Sequence, residues 1–186
     1  MTTKAEQKSA TKVHPIVLWP DPVLETPAAT VTKFDDALHN LVDEMFATMY
    51  EARGVGLAAP QIGISKRITV VDITFKEDAA AKIVLVNPEI IKMEGKQTGN
   101  EGCLSLPEFH EKVTRAKKVT VRAQDAHGKT FEMEGEDLLA RAFQHETDHL
   151  NGKLFISHIS ALKRDLLKRK IRRLIKAGEW PSPAAL

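Results

Sequence analysis

Residues 144–152 read Gln144-His145-Glu146-Thr147-Asp148-His149-Leu150-Asn151-Gly152, and the H-E-x-x-H inside them constrains the chain more than any other stretch. Leu138, Ala142, His145 and His149 recur at i, i+4, i+7 and i+11, which is one stripe of an α-helix. That register turns both imidazoles the way the apolar residues turn, toward the interior. Buried without partners, such groups cost a few kcal/mol each. Side chains one turn apart have Cβ atoms about 5–6 Å apart, a span that suits two nitrogens each about 2.0–2.1 Å from one metal ion. The alternative, one histidine satisfied by the core and the other by solvent, does not explain why both share a face. The stretch predicts a metal-binding helix.

Two imidazoles leave a third ligand to be found. One protease class continues the motif as H-E-x-x-H-x-x-G-x-x-H, and here Gly152 is in place but Phe155 stands where the last histidine is needed. Another class takes a glutamate from a later helix, and the only glutamate after Glu146 is Glu179, beside Trp180 and Pro181 at the chain end. His158 and Asp165 are possible but lie in or before a basic helix with no matching pattern. Upstream, Cys103 follows Gly102 in a segment with little strand or helix patterning, and Gly102 permits close backbone approach. A lone cysteine is more often a small buried hydrophobe. A thiolate is also a strong ligand whose charge partly neutralises a divalent ion. Elimination selects Cys103.

The chain of 186 residues is of a size for one domain. Its 42% hydrophobic and 28% charged residues fit a soluble globular protein, and no run approaches the roughly 18 apolar residues of a membrane span. A single cysteine excludes an internal disulfide and points to a reducing, cytoplasmic setting. Residues 1–12 are polar, lack the apolar core of a signal peptide and read as a disordered tail, leaving 13–180 as one domain. The formal net charge of +2 conceals an asymmetry. From Asn151 onward nine basic residues face two acidic ones, whereas the rest of the chain is mildly acidic.

Residues 14–30 hold four prolines and read as extended coil over the surface. Leu38, Leu41, Val42, Met45 and Met49 mark a helix over 35–52. Segments 67–73, 82–90 and 117–125 are rich in β-branched residues and read as strands, and "DAHGK" turns the last into a hairpin. A second helix covers about 136–150 and a basic C-terminal one about 160–177, with Leu162, Leu166, Ile171, Leu174 and Ile175 as its apolar face. Helices before and after a run of strands predict an α+β fold, mostly antiparallel, around a central metal-binding helix.

"GVGLAAPQIG" at 54–63 formally fits a dinucleotide fingerprint, but a helix precedes it and Pro60 follows at once, so that reading fails. It reads instead as a helix C-cap at Gly54 and a tight turn, with Gly56 allowing a peptide backbone to approach and Gln61 offering an amide N–H to a substrate oxygen. Three motifs thus stand in order, "GVGLAAPQ" (54–61), "EGCLS" (101–105) and "QHETDHLNG" (144–152). Together they resemble the peptide deformylases, from about His14 to Lys176. The resemblance implies hydrolytic removal of the N-formyl group from formyl-Met nascent peptides. It implies Fe²⁺ as the physiological ion, with zinc, nickel or cobalt able to replace it, and Cys103, His145 and His149 as ligands. Glu146 would be the general base, and Gln61 with the Leu104 N–H the donors to the formyl oxygen. Arg115 would lie near the methionine pocket, with Val55, Gly56, Leu138 and Ala142 as further substrate-facing residues. Arg141 departs from the apolar residue expected one turn before the first histidine. The resemblance also supports docking of the basic C-terminal helix on the ribosome near its exit tunnel, and no membrane partner. A metalloprotease and a non-catalytic nucleic-acid-binding domain are the rival readings; the first lacks its third ligand, and the second leaves the metal helix unused.

Overall fold

The computed structural model describes residues 11–181; most of the expected disordered tail, residues 1–10, lies outside the described residues. Helix α1 (Asp36–Glu51) precedes strands β1 (Gly56–Ala58), β2 (Ile68–Val71), β3 (Ile83–Glu94), β4 (Gln97–Cys103), β5 (Leu106–Arg115), β6 (Lys118–Gln124) and β7 (Thr130–Glu136). Helices α2 (Asp137–Leu150) and α3 (Ala161–Ala177) follow. Five strands form one sheet in the order β1-β2-β3-β6-β7, and β4 pairs only with β5. Every strand pair is antiparallel. The α+β architecture is the one the sequence predicts.

β2 explains how the helices come to flank the sheet. All of its residues are buried, so both of its faces need cover. Ile68 and Val70 pack with Leu38, Leu41, Met45 and Met49 of α1. Val71 packs with Ala140 and Phe143 of α2, in a cluster that also takes in Val119 and Val121 of β6. α2 therefore runs against the sheet, with strands β1, β2, β3, β6 and β7 as neighbours. The predicted hairpin closes at Asp125, whose N–H donates to the Lys129 carbonyl at 2.9 Å.

Four details depart from the sequence expectations. The proline-rich stretch does not lie over the surface, because Ile16, Leu18, Trp19 and Leu24 are buried. Its backbone is tied to the loops around the site, Val17 N–H to Gln61 O at 2.7 Å and Trp19 N–H to Ser105 O at 3.0 Å. Gly54 is not the left-handed C-cap. Arg53 takes that conformation at φ 55, and Gly54 N–H closes the turn onto Met49 O at 2.9 Å. Cys103 lies on a strand after all. β4 reads QTGNEGC, and with Glu101 its one buried residue it shows no apolar alternation to betray it. On α3, Leu167 and Ile171 are the buried residues, packed with Leu24, Leu106 and Phe155. Leu162 and Leu166 of the predicted face are exposed at 71% and 55%, because they lie more than a quarter-turn away from that contact stripe.

Candidate active site and metal centre

The last residue of β4 meets the middle of α2. Cys103 Sγ lies 3.2 Å from His149 Nε2, which lies 3.2 Å from His145 Nε2. The donor atoms of Cys103, His145 and His149 all fall within 4.8 Å of one another. His145 Nδ1 donates to Glu101 Oε1 at 2.7 Å, and this fixes its tautomer so that Nε2 turns a lone pair toward the cluster. A thiol and two imidazole nitrogens thus face one another with few protons to share among them. Burial alone would raise the Cys103 thiol, yet the two imidazoles outweigh it and hold the thiol well below its ordinary range. Convergent lone pairs of this chemistry fit a divalent cation.

Behind the cluster lies a charged layer that the sequence reading did not anticipate. Glu101 is buried and accepts from Arg115 Nε at 3.2 Å, from Arg115 Nη2, and from Arg141 Nη1 at 2.7 Å. Arg115 also meets Asp148 of α2, and Asp148 in turn binds His158 at 2.7 Å. His158 is thus held by Asp148 and stands outside the cluster of Cys103, His145 and His149. Arg115 does not itself line the cavity described next, but it is bonded to Glu101, which does. Burial opposes the Glu101 carboxylate, but His145 and Arg115 prevail and hold it far below the usual carboxylate range. The only sequence signal for Glu101 was its position before Gly102-Cys103, and a glutamate beside a glycine ordinarily reads as solvated.

In front of the cluster opens a cavity of about 580 Å³. Val55, Gly56, Gln61, Cys103, Leu104, Ala142, His145 and Glu146 line it, while His149 lies deeper. Leu138 also lines it, but from the rim; at 49% exposed it does not point into the protein as its stripe predicted, because α2 begins at the cavity mouth. His110, across from Gly102, adds a cavity residue that the sequence reading missed. Gln61 is buried, with its side-chain oxygen accepting from Ala58 N–H at 2.9 Å. Its amide nitrogen is thereby turned toward Ser105 Oγ at 3.3 Å and Cys103 Sγ at 3.6 Å.

Glu146 follows the first histidine and sits about 100° around the helix from it. Its Oε2 is buried with no hydrogen-bond partner among the described residues. Burial pushes its carboxyl above the usual range, against the pull of the two imidazoles. Gly56 accounts for the fit. A Cβ there would stand 2.4 Å from Glu146 Oε1, so the glycine makes room for the carboxylate.

The sequence profile of the polypeptide deformylase family matches residues 13–165. A peptide deformylase from Acidobacterium capsulatum is 65% identical over 168 residues, which span 90% of this chain and 99% of that protein. Among solved structures, a peptide deformylase from Legionella pneumophila superposes with a TM-score of 0.82 at 47% identity, covering 91% of this chain and 99% of that one. One from Synechococcus elongatus reaches 0.80 at 37% identity, covering 96% and 95%. Likeness of this extent, in sequence and in fold, establishes that the chain belongs to the polypeptide deformylase family.

Proposed function

We propose that the protein removes the N-formyl group from the N-terminal formylmethionine of nascent polypeptides, with Cys103, His145 and His149 as the metal ligands and Glu146 as the general base. The observation that carries this assignment is the convergence of those three donors beside a buried, unpartnered carboxylate at the base of a cavity. A divalent ion in such a set acidifies water toward neutral pH and withdraws charge from a carbonyl. Fe²⁺ is the ion we assign, following the family resemblance; zinc, nickel and cobalt suit the same donors. Residues 13–180 act as one catalytic unit, and the substrate makes the cytoplasm its place of work. No helix among the described residues is long and apolar enough to cross a membrane.

Each side chain has a part in the hydrolysis. Glu146 takes the proton of the attacking water and returns it to the departing amine. Gln61 Nε2 and the Leu104 backbone N–H donate to the formyl oxygen as it gains charge. Glu101 keeps the His145 ring in one orientation, and Arg115 keeps Glu101 in place. Val55, Leu104, Leu138 and Ala142 supply apolar wall for the first side chain. Formate and a free amino terminus are the products.

Glu146→Ala separates these roles. The variant keeps all three donors and should therefore keep stoichiometric metal, while formate release from formyl-Met-Ala-Ser falls by about 10² or more. Metal lost in step with activity would make Glu146 a ligand and undo the assignment. Cleavage of unformylated peptides by the wild type would favour a protease instead.

We also propose that the outward face of α3 docks on ribosomal RNA. Arg169 and Arg173 are exposed and have no acidic partner among the described residues, whereas Lys163 and Lys168 are paired with Glu111 and Glu25. Phosphate contacts make such binding salt-dependent. The double variant Arg169→Glu/Arg173→Glu should lose ribosome co-sedimentation and flatten its salt dependence while small-peptide turnover persists. Unchanged co-sedimentation refutes the docking.

A further inference from the structure

Arg141 is a charged residue of the cavity wall whose donors the chemistry above leaves partly unused. It lies one turn before His145 on α2, is 9% exposed, and lines the cavity. Its Nη1 is committed, to Glu101 Oε2 at 2.7 Å and to the Val113 carbonyl at 3.2 Å. Nε and Nη2 have no hydrogen-bond partner among the described residues. They are not sealed off either, since the buried polar atoms without partners are Trp19 Nε1, Glu146 Oε2, Thr147 Oγ1 and His149 Nδ1. The free edge of the guanidinium thus keeps some exposure, on a residue that helps to line the cavity.

The neighbouring strand is shaped for it. A Cβ on Gly99 of β4 would stand 3.2 Å from Arg141 Nη2 and 3.6 Å from Cζ, so the guanidinium lies where an ordinary β4 side chain would crowd it. Nor is Arg141 needed to hold the Glu101 carboxylate in place. Arg115 already grips Glu101 through both Nε and Nη2, the fork geometry that suits a carboxylate. What Arg141 adds is a set of N–H donors in a wall that mixes apolar residues, Val55, Leu104, Leu138 and Ala142, with polar ones such as Asn100 and His110.

We infer that Arg141 is a specificity-determining residue, which makes the cavity receptive to formyl peptides whose first side chain ends in a hydrogen-bond acceptor. Methionine sulfoxide is the acceptor that fits without a change of chain length, and it is the ordinary oxidation product of methionine. The inference rests on the deformylase reading of the cavity. With no donor beside it the sulfoxide oxygen would give up its water for nothing. Beside Arg141 it accepts a charge-assisted bond, and a bond of that kind is worth about 10- to 100-fold in binding. A thioether takes nothing from those donors.

The test uses the metal-loaded enzyme with formyl-Met-Ala-Ser and its Met-sulfoxide counterpart, and it reads the ratio of the two kcat/KM values. Arg141→Leu should shift that ratio against the sulfoxide by about tenfold or more, whatever rate both substrates lose together. Arg141→Lys, which keeps a cation but not the fork, should fall between. A second measurement needs no variant: in the wild type, sulfoxide-Met-Ala-Ser should inhibit competitively at least as tightly as Met-Ala-Ser. The same ratio in wild type and Arg141→Leu overturns the inference, and so does a wild type that binds the sulfoxide product far more weakly than the thioether. Turnover of neither formyl peptide would instead remove the deformylase reading beneath it.

Discussion

A Cβ on Gly56 would lie 2.9 Å from Glu146 Cδ as well as 2.4 Å from Oε1, and Glu146, 4% exposed, has little open space into which to retreat. Gly56→Ala should therefore turn the carboxylate away from the water it serves. Turnover should drop by about 10² or more, the usual worth of a positioned base, with metal content intact. Turnover within a few-fold of wild type would mean that Glu146 tolerates displacement and is not the base. At this scale the sequence was readable for the two histidines in the middle of α2, though not for Leu138 at its start. The shared face of His145 and His149 is legible in their spacing, whereas Glu146 is singled out by the family resemblance. Glu101 is not legible, because its role comes from a contact with His145 across 44 positions of the chain, which no local pattern encodes. The contacts of Arg115 were hidden for the same reason. Its motif was visible, but the carboxylates that hold it behind the Cys/His cluster belong to two other elements.

α3 shows how an element can be recognised and its face misassigned. Its start and stop are written in the chain, with Ser160 accepting from Lys163 N–H and Gly178 taking the left-handed turn at φ 71. Which apolar residues face inward depends on what the helix lands on. Leu167 and Ile171 settle against Leu24, Leu106 and Phe155, and the aromatic body of Trp180 joins the same cluster. Ile171→Ala should then cost about 2–5 kcal/mol in urea unfolding, whereas Leu162→Ala and Leu166→Ala should stay within about 0.5 kcal/mol. Equal costs at all of these positions would show that α3 packs by the face the sequence suggested. The β4–β5 hairpin failed to register for a related reason. Its strands alternate, but much of what they bury is charged, Glu101 and Arg115 among them, so an eye trained on apolar alternation passes over it.

For the molecule as a whole, acid stability has an identifiable contributor away from the metal centre. Tyr50 at the end of α1 donates to Asp72 at 2.6 Å, and Thr74 Oγ1, Thr74 N–H and Lys76 N–H bind the same carboxylate. Lys76 and Lys82 sit over the Tyr50 ring. Burial opposes the charge, but these bonds outweigh it and hold the Asp72 carboxyl at about 2. An unfolded aspartate takes its proton near pH 4. The stabilisation is therefore complete above about pH 4 and is lost as pH falls toward 2. Urea midpoints between about pH 5 and pH 2 should fall less steeply for Asp72→Asn than for wild type; parallel curves would assign the acid sensitivity elsewhere. Cys103 and His149 stand 46 residues apart in the chain and arrive at the site from a strand and a helix. An ion held by both closes a loop of that length, as a disulfide would, and chain-entropy reasoning values such a closure at about 4 kcal/mol. Chelation should accordingly lower the melting temperature by about 8–16 °C, and Cys103→Ala should melt at the chelated value with no further response to chelator. A melting temperature indifferent to chelation would mean the hairpin stays docked unaided. On the proposed ligand set, the atom that equips this chain for hydrolysis would also be a detachable clasp, so a cell short of metal would hold a deformylase that is not merely idle but easier to unfold and to degrade.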